Sequence, residues 1–204
     1  IDRTLDRAME NYGIAFNNSG SIIIGANASV GYYGIVNRTI FNNNAGGQIV
    51  VGNAGGYSLL NMPGHTGIDG TFTNSGTLIN NGNLTNNTTF NLNSGGNLVL
   101  NTNPAALPGG TFNWNSGSTL TICNTANLFT NALLVPNGCT LQVNGTLTLN
   151  GTNGTNWTLY NFGYVNNYGT INIGSTSSVS DNGIVNVGTF NNNTNARINI
   201  DRTL

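Results

Sequence analysis

The chain has no lysine. Five arginines, six carboxylates and one histidine are spread over 204 residues, so charged side chains make up 5% of it, against roughly 25% in an ordinary soluble domain. With a net charge of -1 no basic patch exists to draw nucleic acid or anionic lipid, and neither is expected as a partner. No stretch approaches the roughly 18 consecutive apolar residues of a membrane-spanning helix, which argues against membrane insertion. Residues 1–15 lack the basic and apolar regions of a signal peptide, so an export signal is expected outside this chain. Between Asp69 and Asp181 there is no charged residue at all. Sugar lyases and hydrolases on repetitive β folds need clustered carboxylates, and no such cluster, His/Cys metal spacing or phosphate-binding glycine loop is visible. The expectation is a protein that is not an enzyme and carries no cofactor.

What the chain has instead is amide and glycine: 42 asparagines and 29 glycines, with 38% hydrophobic residues. Residues 1–5 read IDRTL, and residues 200–204 read IDRTL again. That identity predicts that residues 1–204 form a single segment, one unit of an array with a period of about 199 residues.

A shorter period runs inside the long one. Phe16, Phe41, Phe72, Phe90, Phe112, Tyr160 and Phe190 each open a similar phrase, mostly at intervals near 25 residues, with one double interval between Phe112 and Tyr160. After each comes an alternating apolar and polar phrase: SIIIG, QIVVG, TLINN, NLVLN, TLTIC, TLTLN, TINIG and RINID. Alternation of this kind, bounded by Gly or Asn, marks short half-buried strands. GIAF, GIVN, GIDG and a second GIVN, beginning at Gly13, Gly34, Gly67 and Gly183, add a further strand to several rungs. A rung of about 25 residues cannot bury its apolar face alone, but stacked rungs give every strand a neighbour above and below. The fold class is therefore all-β: a β-solenoid, read as a parallel β-helix of about eight coils, with the seven aromatics in one inner column.

Asparagine at coil corners tolerates tight turns, and its amide can bond the matching amide one coil away. Ladders of this kind are expected at Asn17, Asn42, Asn91, Asn113 and Asn191, each directly after its aromatic. Three segments break the rhythm, at 53–67, 101–110 and 124–139, and are expected to loop out of the stack. Tyr57 and His65 in the first, together with Trp157, are the candidates for a ligand loop; His65 also fits a solvated loop residue. Cys123 and Cys139 flank the third, and either a disulfide closing it or two buried thiols fits. Eight of the eleven charges, Arg197, Asp201, Arg202, Asp2, Arg3, Asp6, Arg7 and Glu10, gather where one long repeat would meet the next. They read either as ion pairs across the junction or as a solvated turn.

GIVNVGTFNNNTNARINIDRT (183–203), GIDGTFTNSGTLINN (67–81) and GIAFNNSGSIIIG (13–25) together resemble the Gly/Asn/Thr-rich tandem repeats of very large secreted or surface proteins of bacteria, especially of the Bacteroidota type. The resemblance implies a β-helical adhesin or filament stalk, located outside the cell or on its surface, with no catalytic residues. The expected role is structural, a module of a long fibre whose partners are neighbouring copies of itself. Two other readings stand beside it. A carbohydrate-binding adhesin would contact surface glycans through Trp114, Trp157, Tyr32, Tyr33 and Tyr57, although Trp114 shares parity with Phe112 and fits the core. An ice-binding solenoid would need outward Thr rows such as Thr119 to Thr121 and Thr146 to Thr148.

Overall fold

A computed structural model describes residues 1, 6–25, 30–64, 69–103, 105–151, 157–175 and 182–201. The described residues form twenty-four short strands and no helix. Each coil but the fifth lays down three. The first is β1 (Arg7–Asn11), β2 (Ala15–Asn18) and β3 (Ser21–Ile24); the second is β4 (Tyr33–Asn37), β5 (Ile40–Asn43) and β6 (Gln48–Val51). Next come β7 (Tyr57–Asn61), β8 (Thr71–Asn74) and β9 (Thr77–Asn80), then β10 (Leu84–Asn86), β11 (Thr89–Leu92) and β12 (Asn97–Leu100). The fifth coil has β13 (Thr111–Trp114) and β14 (Thr119–Ile122), and the sixth β15 (Asn127–Thr130), β16 (Leu133–Val135) and β17 (Thr140–Val143). The chain continues through β18 (Thr146–Leu149), β19 (Trp157–Asn161), β20 (Tyr164–Asn167), β21 (Thr170–Ile173), β22 (Asn182–Asn186), β23 (Thr189–Asn192) and β24 (Arg197–Ile200).

All pairings are parallel and join each strand to its counterparts in the coils above and below. The result is a β-solenoid of about seven turns, about 25 residues apart. One eight-stranded sheet, β3-β6-β9-β12-β14-β17-β20-β23, runs through the whole stack and forms what we call the third side. The first side follows it in chain order: β1-β4-β7-β10, then β15-β18-β21-β24. The second side precedes it: β2-β5-β8-β11-β13, then β16-β19-β22. In the fifth coil the first side shrinks to a single parallel bridge between Ala105 and Leu128.

The local sequence explains the strand length. In Thr71-Phe72-Thr73-Asn74 the second and fourth residues are buried and the β-branched threonines face out, the period of two expected of a pleated strand. Three to five residues fit before a corner. At the turn 44–47, Gly46 takes φ 79°, and the Gly47 N–H donates to Asn44 O at 2.9 Å. Corners also stack so closely that a side chain has no room: a Cβ on Gly169 would lie 2.0 Å from Gly145 O. The inward second positions make the core, with Phe41, Ile49, Phe72, Leu78, Phe90, Leu98, Leu120, Leu141, Val165 and Ile171 all at 0% exposure.

The described parts of the three rhythm-breaking segments carry strands or bridges of the stack instead of looping out of it. Residues 53–67 contain β7 and the bridge-forming Ala54, and residues 124–139 contain β15 and β16. Residues 101–110 supply buried Ala105. These segments supply first-side and second-side pairing that the repeat phrases do not: β7, the Ala105 bridge, and β15 with β16. The same middle region moves the sequence phrase round the coil by one side. GIVN, IFNN and QIVV (34–51) occupy sides one, two and three; GIVN, TFNN and RINI (183–200) occupy sides two, three and one.

Candidate functional site

The phrase shift splits the expected aromatic column. Phe16, Phe41, Phe72, Phe90 and Phe112 lie level on the second side, with successive ring centroids at 4.9, 4.8, 5.2 and 5.9 Å. Offset stacking at such distances adds about 0.5–1.5 kcal/mol per pair beyond burial. Tyr160 and Phe190 do not join this column. Tyr160 is on β19, level with Leu134, and Phe190 is on β23 of the third side, level with Val165.

Asparagine amides run through the stack in two kinds of line. The expected outward ladder exists in pieces: Asn42 donates to Asn17 at 2.8 Å, Asn113 to Asn91 at 2.8 Å, and Asn91 to Thr73 at 3.4 Å. Asn191 donates to Asn166 at 2.9 Å on the third side, apart from the others. These bonds are exposed to water or partly so.

The second kind is buried and occupies the last residue of a strand. On the first side Asn11 donates to Asn37, Asn37 to Asn61 and Asn61 to Asn86, at 2.8, 2.7 and 2.6 Å. On the second side Asn18 donates to Asn43 and Asn43 to Asn74, at 2.8 and 2.7 Å. After the phrase shift the pattern resumes one side further round, with Asn161 donating to Asn186 and Asn167 to Asn192, both at 2.7 Å. The amide orientations follow from the backbone around them. Nitrogens face carbonyls, as Asn37 Nδ2 does Thr39 O at 3.0 Å, and oxygens accept backbone N–H, as Asn161 Oδ1 does from Gly163 at 3.0 Å. Each buried amide thereby pins a corner and two coils at once.

One buried asparagine stands outside these lines. Asn80 sits level with Val51 and Leu100 on the third side, and its Oδ1 has no partner.

Among the described residues, the charged side chains apart from Asp69 lie in the first two coils and the last. Glu10 accepts from Arg38 Nε at 2.9 Å and from Arg7 Nη1 at 2.5 Å. Burial pushes the Glu10 pKa up, but the hydrogen bonds from Arg38 and Arg7 outweigh it and hold the group below its ordinary value. Arg7 lies 5.6 Å from the Tyr33 ring centre and Arg38 5.1 Å from that of Tyr12. Arg38 was not among the expected junction residues; it comes from the second coil and closes the cluster from above. Arg197 and Asp201 belong to the last coil, at the opposite end of the stack from Asp6, Arg7 and Glu10, so within one chain the two groups do not meet. Asp2, Arg3 and Arg202 lie outside the described residues, as does His65.

Cys123 and Cys139 are free thiols. Their strands β14 and β17 are neighbours in register Thr119↔Thr140 to Ile122↔Val143, so Cys139 precedes one end and Cys123 follows the other. A four-residue strand, about 13 Å long, separates the two levels, beyond the roughly 7 Å that a disulfide spans. Cys139 is buried with Sγ 3.6 Å from Trp114 O, and burial raises its pKa; burial also raises that of half-buried Cys123.

Two groups of partly or fully exposed aromatics lie on the surface, apart from exposed Tyr12, Phe129, Tyr164 and Tyr168. Tyr32, 51% exposed, meets Tyr33 edge-on at 4.6 Å, and Tyr33 stacks on Tyr57 at 6.0 Å. In the later coils Trp157, Tyr160 and Phe162 stand at successive centroid distances of 5.5 and 4.4 Å. Trp114 is in the core. Thr119–Thr121 and Thr146–Thr148 lie on different sheets, and Thr121 and Thr148 are buried, so these threonines form no flat outward row. Comparison of the chain with protein-family models, with curated proteins and with solved structures finds no match.

Proposed function

We propose that the chain is a structural module of a long extracellular fibre or stalk, whose work is to extend and to present surface. One observation carries the reading: the third-side sheet continues through every coil, and among the described residues no strand covers either end, only Ile1 lying against β3. Open sheet edges are a template for more of the same strand, so continuation of the stack is the natural fate of both. Absence of lysine and the presence of only five arginines, with Arg38 paired to Glu10, leave few sites for a trypsin-like protease, as suits a molecule outside the cell. Electron microscopy and fibre diffraction test it. Filaments with an axial repeat of about 4.8 Å are expected, and isolated particles without that repeat count against the reading.

A second reading is favoured by the Trp157, Tyr160 and Phe162 group. Aromatic rings grouped on a surface suit the apolar faces of sugars, and a stalk can carry a glycan contact on its side. Binding on a glycan array, abolished by Trp157→Ala with the fold retained, would support an adhesive module.

A further inference from the structure

The last coil leaves its interior half uncovered. Ile184, Phe190 and Ile198 hold inward positions yet are only half-buried, and Ile200 is 50% exposed. Among the described residues, each of β22, β23 and β24 has a strand neighbour on one side alone. These three strands end in Asn186, Asn192 and Ile200; the three strands of the first coil end in Asn11, Asn18 and Ile24.

We propose that the last coil is covered by the first coil of a second copy of this chain, with β1 lying on β22, β2 on β23 and β3 on β24. This rests on the fibre reading and specifies its joint. Because β22, β23 and β24 occupy the second, third and first sides, the second copy is turned about the axis by a third of a turn, and every third copy presents the same face.

The residues at the joint match in kind. Asn186 meets Asn11, Phe190 meets Phe16, Asn192 meets Asn18 and Ile200 meets Ile24. The polarity of the buried amides matches as well. Within the chain the earlier asparagine donates to the later coil, as Asn11 does to Asn37 and Asn161 to Asn186. Asn186 and Asn192 are thus set to donate to Asn11 and Asn18 of the next copy. Stacking side on like side, without the turn, sets Asn192 against Ile24 and Ile200 against Asn11, which buries amides away from any partner.

Ile1 already shows the register. Its amino group donates to Ile23 O at 3.1 Å, and its carbonyl accepts from Gly25 N at 2.7 Å. Those are the two bonds made by a parallel partner of Ile24, as Gly52 N to Ile24 O repeats one coil on, at 2.7 Å. Since residues 1–5 and 200–204 are the same five residues, Ile1 holds on β3 the place that Ile200 of a preceding copy takes in the joint, and Ile1 leaves β3 when the joint forms.

Paired cysteines test this in the full chain with Cys123→Ser. Neighbouring parallel strands are about 4.8 Å apart, within disulfide reach for level outward residues. Asn17→Cys with Asn191→Cys reports the turned joint; Ile23→Cys with Asn191→Cys reports the unturned one. Under mild oxidation the first pair is expected to give a ladder of covalent multimers and the second to stay monomeric. Cross-linking of the second pair, alone or equally with the first, overturns the turned register and leaves the fibre reading standing. Monomers from both pairs by sedimentation overturn the joint and the fibre reading together.

Discussion

Asn37 donates from its side-chain nitrogen to the side-chain oxygen of Asn61 at 2.7 Å, and neither residue is exposed to solvent. A buried amide is costly unless its partners are supplied, and here the identical residue one coil away supplies one. Repetition of sequence thus becomes satisfaction of hydrogen bonds.

Replacing Asn61 tests this against Asn80, which is equally buried. Asn61 Nδ2 lies 2.6 Å from Asn86 Oδ1, 2.9 Å from Thr88 Oγ1, 2.9 Å from Thr89 O and 3.1 Å from Gly70 O. Asn61→Leu strands those groups and is expected to cost about 3 kcal/mol in urea unfolding. Asn80 Nδ2 donates to Gly82 O alone, and its Oδ1 is orphaned in a line of Val51 and Leu100. Asn80→Leu therefore strands one carbonyl, removes one orphan and is expected to cost no more than about 1 kcal/mol.

Phe72 is wholly buried between Phe41 and Phe90, and truncation to Ala is expected to cost about 3–5 kcal/mol. Phe190 sits half-buried at the open end, level with Val165, so Phe190→Ala in the isolated chain is expected to cost less than half as much. Equal losses by thermal melting would contradict the split column.

Acid is expected to open the first coil before the rest. The pKa of Glu10 in the folded chain is below its ordinary value, so the pair's contribution is present above about 4.3 and is lost as pH falls through the lower, folded value. Below both values Glu10 is protonated folded or unfolded, and Arg7 and Arg38 lose their anionic partner. Hydrogen exchange of Ala8 to Asn11 measured from pH 6 to pH 3 should accelerate through that window, while β14 stays protected; a Glu10→Gln variant should be fast throughout.

The two thiols should differ in access. Native protein is expected to lose one thiol to a maleimide, at Cys123, and the second, at Cys139, only on unfolding. A mass two units low, shifted by reduction, would instead show that the two had bonded.

The repeat was legible because Phe16, Phe41, Phe72, Phe90 and Phe112 recur in phrases of one kind. The buried asparagine lines were legible in principle. Asn17 is one residue after inward-facing Phe16 and so points outward; Asn18 is two after it and points in. Asparagine is so seldom buried that an exposed ladder looks the better candidate. The phase shift left no such trace. GIVN at 34 and at 183 are identical words, and their side is set only by how many strands lie between them. Those include β15 and β16, written in Leu-Phe and Leu-Leu-Val rather than in the repeat's own vocabulary.

Hydrogen bonds between coils point along the axis of the stack, whereas the covalent chain runs around it. Tension applied at the two ends of such a molecule therefore loads every coil contact in series, and the weakest end coil yields first. Each coil that peels away frees about 25 residues, a gain in contour of roughly 80 Å that arrives in steps. A stack built this way behaves under force as a spool, lengthening several-fold and absorbing work before any peptide bond is strained.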